Sequence, residues 1–137
     1  MSGPTLSVVM PNYNHGKYLR TAIEGVLNQA RPPDEFLILD DASTDNSLEI
    51  IEEYAARHPL IRVLRNSRNA GVVGAHRRLF EEAACQYVCT APADDAHLPH
   101  YYERGMALAA DYPQAGIIFG KIRVIDEHDR ELAVLGV

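Results

Sequence analysis

Two adjacent acidic pairs, Asp40-Asp41 and Asp94-Asp95, follow short apolar, β-like runs, Phe36 to Leu39 and Tyr87 to Ala91. In an open α/β sheet, carboxylates carried at the C-terminal ends of strands lie on the edge where ligands bind. Paired carboxylates there suit a hard divalent cation or the hydrogen-bond donors of a nucleotide. An isolated Asp-Asp is more often a solvated turn that caps the next helix. The elements around the pairs therefore decide between the two.

Those elements alternate. Leu6 to Met10 reads as a strand that stops at Pro11-Asn12, and the apolar spacing Tyr18/Leu19, Ala22/Ile23, Val26/Leu27 predicts a helix terminated by Arg31-Pro32-Pro33. Glu35 to Leu39 is a second strand. Asn46 and Glu49 have capping-box spacing, so a helix follows with Leu48, Ile51, Tyr54 and Ala55 inward, ended by Pro59. Ile61 to Leu64 is a third strand, and Asn66 to Gly71 a turn. A third helix from Val72 to Ala84 buries Val72, Leu79, Phe80 and Ala83, and Tyr87 to Ala91 is the fourth strand. Pro99 suits a helix's first turn, with Tyr102, Met106 and Ala109/Ala110 at helical spacing up to Tyr112-Pro113. Ala115 to Ile125 then reads as a longer strand, Glu127 to Arg130 as a turn, and Leu132 to Val137 as a last strand. Strands separated by helices predict β-α-β units: an α/β fold with a mostly parallel open sheet and flanking helices in three layers, α/β/α.

Composition sets outer limits. A chain of 137 residues fits one domain, 1–137, with one core, and its 47% hydrophobic and 23% charged content is ordinary for a globular protein. The net charge of -6 argues against a nucleic-acid partner, which favours a basic face. Cys85 and Cys89 lack the second pair of a structural zinc site and read as buried thiols suited to a reducing cytoplasm. No stretch approaches the ~20 apolar residues of a membrane span, so peripheral attachment to the inner face of a membrane would come from elsewhere in a longer protein. The six histidines show no ligand spacing, and His97 and His100 read as surface residues. Arg65, Arg68, Arg77 and Arg78 cluster after the third strand, where guanidinium groups could meet a diphosphate; Arg77 and Arg78 read as a solvated helix face, leaving Arg68.

Four segments, Ser7 to Asn14 (SVVMPNYN), Leu39 to Asp45 (LDDASTD), Asn69-Ala70-Gly71, and Ala93-Asp94-Asp95 with Leu98-Pro99, occur in an order and spacing that resembles family 2 glycosyltransferases with the Rossmann-like GT-A fold. The resemblance runs from Leu6 to about Ile125. It implies that Pro11 and Tyr13 line a base pocket, the ring stacking on the base, and that Asp41 accepts an imino N–H, as uracil or thymine would offer. It further implies Ala93 on the nucleotide, beside the Arg68 of the basic cluster, and Asp94, assisted by Asp95, as ligands of Mn²⁺ or Mg²⁺. The implied activity is transfer of a sugar from a UDP- or dTDP-sugar to a glycan, lipid-linked or protein acceptor with inversion, in cell-envelope polysaccharide synthesis.

The chain departs from that pattern in places. Pro92 stands where the family's metal motif has its first aspartate, and it offers neither a carboxylate nor a backbone donor. His76, Arg77 and Cys85 also differ from the usual residues. The family's catalytic base lies on a segment beyond Val137, with most acceptor contacts, so the chain reads as the donor-binding portion of a longer enzyme. The alternative is a module that binds nucleotide sugar without catalysis. A phosphoacceptor receiver would want acidic residues after the first strand, and a dinucleotide fold would need Gly-x-Gly-x-x-Gly there; Pro11-Asn12 supplies neither.

Overall fold

Leu6, Val8 and Met10 alternate with Ser7 and Val9 along the first strand, and all five are buried. A strand buried on both faces needs helices above and below it. In the computed structural model, which describes residues 3–136, this strand, β1 (Leu6–Asn12), lies between β2 (Glu35–Asp40) and β4 (Tyr87–Thr90), with β3 (Ile61–Arg65) outside β2. All pairings are parallel, Asn12 standing opposite Asp40, Val9 opposite Thr90 and Asp40 opposite Arg65. The C-terminal ends of β1, β2 and β4 therefore open on one edge.

Helices α1 (Gly16–Leu27), α2 (Ser47–Arg57) and α4 (Tyr101–Asp111) cover one face. Leu19, Ile23, Ile51, Tyr102 and Met106 pack there against Val8, Met10, Phe36 and Ile38. Helix α3 (Gly71–Glu82) covers the other face, with Ala75 and Leu79 on Val9, Leu37 and Leu39. The side change follows from handedness. Steps from β1 to β2 to β3 run one way across the sheet and the step to β4 runs back, so right-handed crossovers put α3 opposite α1 and α2. Each fully buried large side chain contributes about 1.5–3 kcal/mol.

The fold confirms the three-layer α/β expectation and corrects several details. Strand β1 runs two residues beyond Met10, through Pro11 and Asn12. Proline is tolerated because β4 ends at Thr90, opposite Val9, so Pro11 lies past the end of the β1–β4 ladder. Asn46 makes no side-chain cap; Asp45 Oδ1 accepts the Ser47 N–H instead, at 2.9 Å. In α2 it is Ile50 that is buried beside Ile51 and Tyr54, with Leu48 half-buried. Val72 and Phe80 are exposed on α3, at 74% and 50%. Its first turn sits level with the end of β2, where no strand runs beneath Val72, and Phe80 is turned one residue off the Ala75-Leu79 stripe. Helix α4 starts at Tyr101 rather than at Pro99. Both cysteines are free and half-buried rather than buried, with burial pushing the Cys89 thiol up to about 11, an inert setting.

The largest departure is C-terminal. Only Ile122–Ile125 of the expected long strand is extended in a ladder, as β5, and it pairs antiparallel with β6 (Glu131–Leu135) in a separate hairpin. Residues 115–121, containing Gly116 and Gly120, find no strand to pair with among the described residues, and β4 is left as an open sheet edge. Val137, the end of the expected last strand, lies outside the described residues.

These packing roles predict opposite outcomes for two phenylalanines. Phe36→Ala should destabilise by about 3–5 kcal/mol, seen as a large fall in the urea midpoint. Phe80→Ala should stay within about 0.5 kcal/mol; a large loss there would show that α3 buries a different stripe.

Candidate functional site

Asp40 and Asp41 leave the end of β2 in different directions. Asp40 Oδ1 accepts the Asn12 side-chain amide at 3.1 Å and its Oδ2 the Ser43 N–H at 3.1 Å, tying β1 to the following turn. Asp41 Oδ1 accepts from the Asn66 amide at 2.7 Å and the Ala70 N–H at 2.8 Å, and Oδ2 from the Gly71 N–H at 3.0 Å. Both carboxylates are buried, at 3% exposure. Three of roughly four acceptor positions on Asp41 are thus used. One stays open on Oδ2. Gly71 has φ +76, a backbone setting that favours glycine, and this lets α3 begin with its N–H aimed at Asp41. Ala42, next to the pair, has φ +62, a left-handed conformation that costs a non-glycine residue about 1–3 kcal/mol.

The loop leaving β1 is fastened to this turn. Asn14, also left-handed at φ +56, accepts through Oδ1 from the Thr44 N–H at 2.7 Å and the Asp45 N–H at 3.2 Å, while its own N–H donates to Ser43 Oγ at 3.1 Å. The Gly16 N–H donates to Asp45 Oδ2 at 2.9 Å. Burial alone would raise the Asp45 carboxyl, but donors from Ser47 and Gly16 outweigh it and hold it below the usual range. Tyr13 projects from the loop with 45% exposure.

Across β1 lies the second acidic pair. Ala91 donates to the Val9 carbonyl at 2.9 Å, the chain turns with Asp95 N–H on the Pro92 carbonyl at 3.2 Å, Ala93 is buried, and Asp94 and Asp95 are exposed. Burial, then the charge of Asp94, raises the Asp95 carboxyl above the usual carboxylate range. His15 Nδ1 stands 3.8 Å from Asp94 Oδ2. The loop after β1 therefore touches both acidic segments, and Asp41 and Asp94 flank it on the same edge.

The segment carrying Asp94 and Asp95 is anchored from behind by Gln29. Its amide donates to the carbonyls of Leu98 at 2.7 Å and Gly25 at 3.0 Å, and its Oε1 accepts the Tyr102 N–H at 3.1 Å, satisfying one free donor at the start of α4. Gly25 permits this approach, since a Cβ there would lie 3.2 Å from the His97 nitrogen. His97 Nδ1 is 2.6 Å from the Tyr102 hydroxyl, and burial lowers the His97 pKa. It is half-buried, not a surface residue as its sequence context implies.

Of the four arginines, Arg65 pairs with Glu52 and Arg77 with Glu81, while Arg78 donates to Asn66 Oδ1 and to the Arg65 carbonyl, both at 2.6 Å. Arg78 therefore braces the amide that holds Asp41 instead of a solvated face. Arg68 is exposed with no ion pair among the described residues, free to meet an anion. No group of three His, Cys, Asp or Glu side chains converges as a metal cage among the described residues. A divalent cation held by Asp94 and Asp95 would need its other ligands from a substrate or water, the usual pattern for Mg²⁺. The raised Asp95 carboxyl fits such an ion, because a cation relieves the repulsion. A cavity of about 990 Å³ lies elsewhere, among β4, α4 and residues 115–121, with Val88, Tyr101, Met106 and Ile117 in its wall and no carboxylate.

Sequence reasoning assigned no role to Asn14, Gln29, Asn66 or the backing by Arg78. Asn14 stands inside the motif that carried the resemblance. The others act across 12 to 73 positions of sequence, where no local pattern marks them.

Comparison with known proteins agrees with this architecture. Solved neighbours include S. aureus TarS 1-349 in complex with UDP-GlcNAc, with a TM-score of 0.73 and 25% identity, over 80% of this chain and 32% of that one. The fold is thus a GT-A-type α/β sheet. The Glycosyl transferase family 2 profile matches residues 7–134, and the chain belongs to that family. An uncharacterized glycosyltransferase, YibD, of Escherichia coli (strain K12) is 41% identical over 106 residues, covering 77% of this chain and 30% of that protein. Another, of Methanocaldococcus jannaschii, is 32% identical over 130 residues, covering 93% and 45%. The chain spans less than half the length of these relatives.

Two predictions follow from the bonding. Asp41→Ala removes the buried carboxylate that accepts from Asn66, Ala70 and Gly71, leaving Gly71 only its bond to Asn69 Oδ1, and should cost about 1–3 kcal/mol in urea unfolding, with Asp41→Asn milder; wild-type stability in both would show that Asp41 does not hold α3. His97, with its folded pKa depressed below an unfolded value of about 6.5, leaves stability intact above that value. Stability should decline as pH falls below it, because the unfolded chain takes up a proton that the folded one resists. In His97→Leu this part of the pH slope should vanish.

Proposed function

We propose that this chain binds the donor of an inverting, divalent-metal-dependent glycosyltransferase that moves a sugar from a UDP- or dTDP-sugar to an acceptor hydroxyl. One observation carries this: the loop after β1 joins the Asp41 turn to Asp94 on a single edge, with a buried, nearly satisfied carboxylate on one side and an exposed, mutually repelling pair on the other. Tyr13 offers its exposed ring to the base. Pro11 and Ala93 leave the floor between the two sides apolar, and the open acceptor position of Asp41 takes one imino N–H, which uracil and thymine present. Arg68 meets the diphosphate, and Asp94 with Asp95 holds Mn²⁺ or Mg²⁺.

When bound, such an ion neutralises charge on the leaving nucleoside diphosphate. The chain's own residues fix the nucleoside, orient the diphosphate toward Asp94 and keep the sugar at the open edge. The base that deprotonates the acceptor is assigned to residues beyond Val137, and the acceptor to cell-envelope polysaccharide. The solved complex of TarS with UDP-GlcNAc supports a nucleotide-sugar donor. Family membership over residues 7–134 favours the enzyme over a module without catalysis. Among the described residues no helix is long and apolar enough to cross a membrane.

Calorimetry tests this. UDP should bind at least tenfold more tightly with Mn²⁺ or Mg²⁺ than with chelator, a difference of about 1.4 kcal/mol. In Asp94→Ala, folded as judged by circular dichroism, that metal dependence should disappear. Absence of UDP binding by folded wild-type chain with either metal would refute the donor site, and metal dependence surviving in Asp94→Ala would remove Asp94 as a ligand.

A further inference from the structure

Pro92, in the loop after β4, offers no carboxylate to a cation, and a different group stands nearby at the start of α1. We infer that His15 supplies, through Nδ1, a nitrogen ligand to the cation that Asp94 holds with Asp95, an inference that rests on the donor-site reading above.

Three observations support it. The Nδ1 atom of His15 is shut off from solvent yet has no hydrogen-bond partner, an arrangement that buried polar nitrogens rarely keep without a ligand to receive. It stands 3.8 Å from Asp94 Oδ2. That is too long for a hydrogen bond and lies within a small side-chain movement of the roughly 3 Å that separates two neighbouring ligands of one octahedral ion. Finally, the residue is anchored. The His15 carbonyl accepts the Tyr18 and Leu19 N–H groups at 2.9 and 3.0 Å, and the next residue is fastened to Asp45, so the ring hangs from a fixed point at the start of α1. The side chains of His15 and Asp94 keep 40% and 50% exposure, leaving room for a diphosphate to complete the coordination.

An imidazole with its proton on Nε2 offers a lone pair at Nδ1. Replacing a carboxylate by that nitrogen shifts preference away from Mg²⁺, which favours oxygen, toward Mn²⁺ and still more Co²⁺. In the presence of UDP, Co²⁺ should therefore bind at least tenfold more tightly than Mg²⁺. His15→Ala should lose most of that preference while its Mg²⁺ affinity changes little, and His15→Gln should resemble it.

The direct test uses the wild-type chain carrying ¹⁵N-labelled histidine. Its complex with Mn²⁺ and UDP, read by pulsed electron paramagnetic resonance, should show a directly bonded ¹⁵N coupling. A cation that binds with UDP but shows no histidine nitrogen overturns the His15 assignment and leaves the donor site standing. No UDP-dependent cation binding at all sinks the donor site and this inference with it.

Discussion

The end of β2 is where the structure commits itself. Two neighbouring carboxylates point to opposite sides: Asp40 fastens β1 and its own turn, and Asp41 fastens the start of α3. Between them they accept five hydrogen bonds, each with a charged acceptor and each worth about 1.5–3 kcal/mol. The left-handed Ala42 next to them costs about 1–3 kcal/mol. The bonds outweigh the strain, so the turn holds a shape its residue types alone would not choose. Because β1, β2 and β4 are parallel, this turn shares an edge with the loop after β4.

The two sides of that edge differ in kind. The Asp41 side is preorganised: its donors are in place, Asn66 is itself braced by Arg78, and Asn14 stitches the β1 loop to the same turn. The Asp94 side is electrostatically unfinished, with two exposed carboxylates side by side and one of them pushed up by burial and by its neighbour's charge. On the proposed reading, rigid recognition falls to the first side and charge-dependent capture to the second, for a donor with an aromatic base at one end and an anionic diphosphate at the other.

Much of this was legible in the chain. Alternation of apolar runs with 3.6-residue spacing placed four strands and four helices, and the acidic pairs after two of the runs marked the edge. What stayed hidden has physical causes. Gln29 bonds to α4 across 73 positions and carries no periodic signal, so its anchoring role emerges only from the packing of α1 on the Asp94 segment. Asp41 reads as a ligand residue from its motif, but its three partners come from a loop 25 to 30 residues away. Residues 115–121 have strand-like composition, yet a strand needs a neighbour, and none pairs with them among the described residues. Val72 and Phe80 fit a helical stripe, while burial depends on whether sheet lies underneath.

Helix α1 connects the two sides. Its first residue, Gly16, is bonded to Asp45 beside the Asp41 turn; Gly25, nearer its other end, lies against the His97 backbone; and Gln29, just past its end, holds Leu98 and Tyr102. A helix rises about 1.5 Å per residue and resists compression. Both loops are thus referenced to one stiff rod, and the span between the Asp41 turn and the Asp94 segment does not depend on either loop's own rigidity. His15 sits at the N-terminal end of that rod, facing Asp94. A shift of α1 would move the Asp45 contact and the Asp94 segment together, which is how a small sheet can keep the span between its two acidic loops constant.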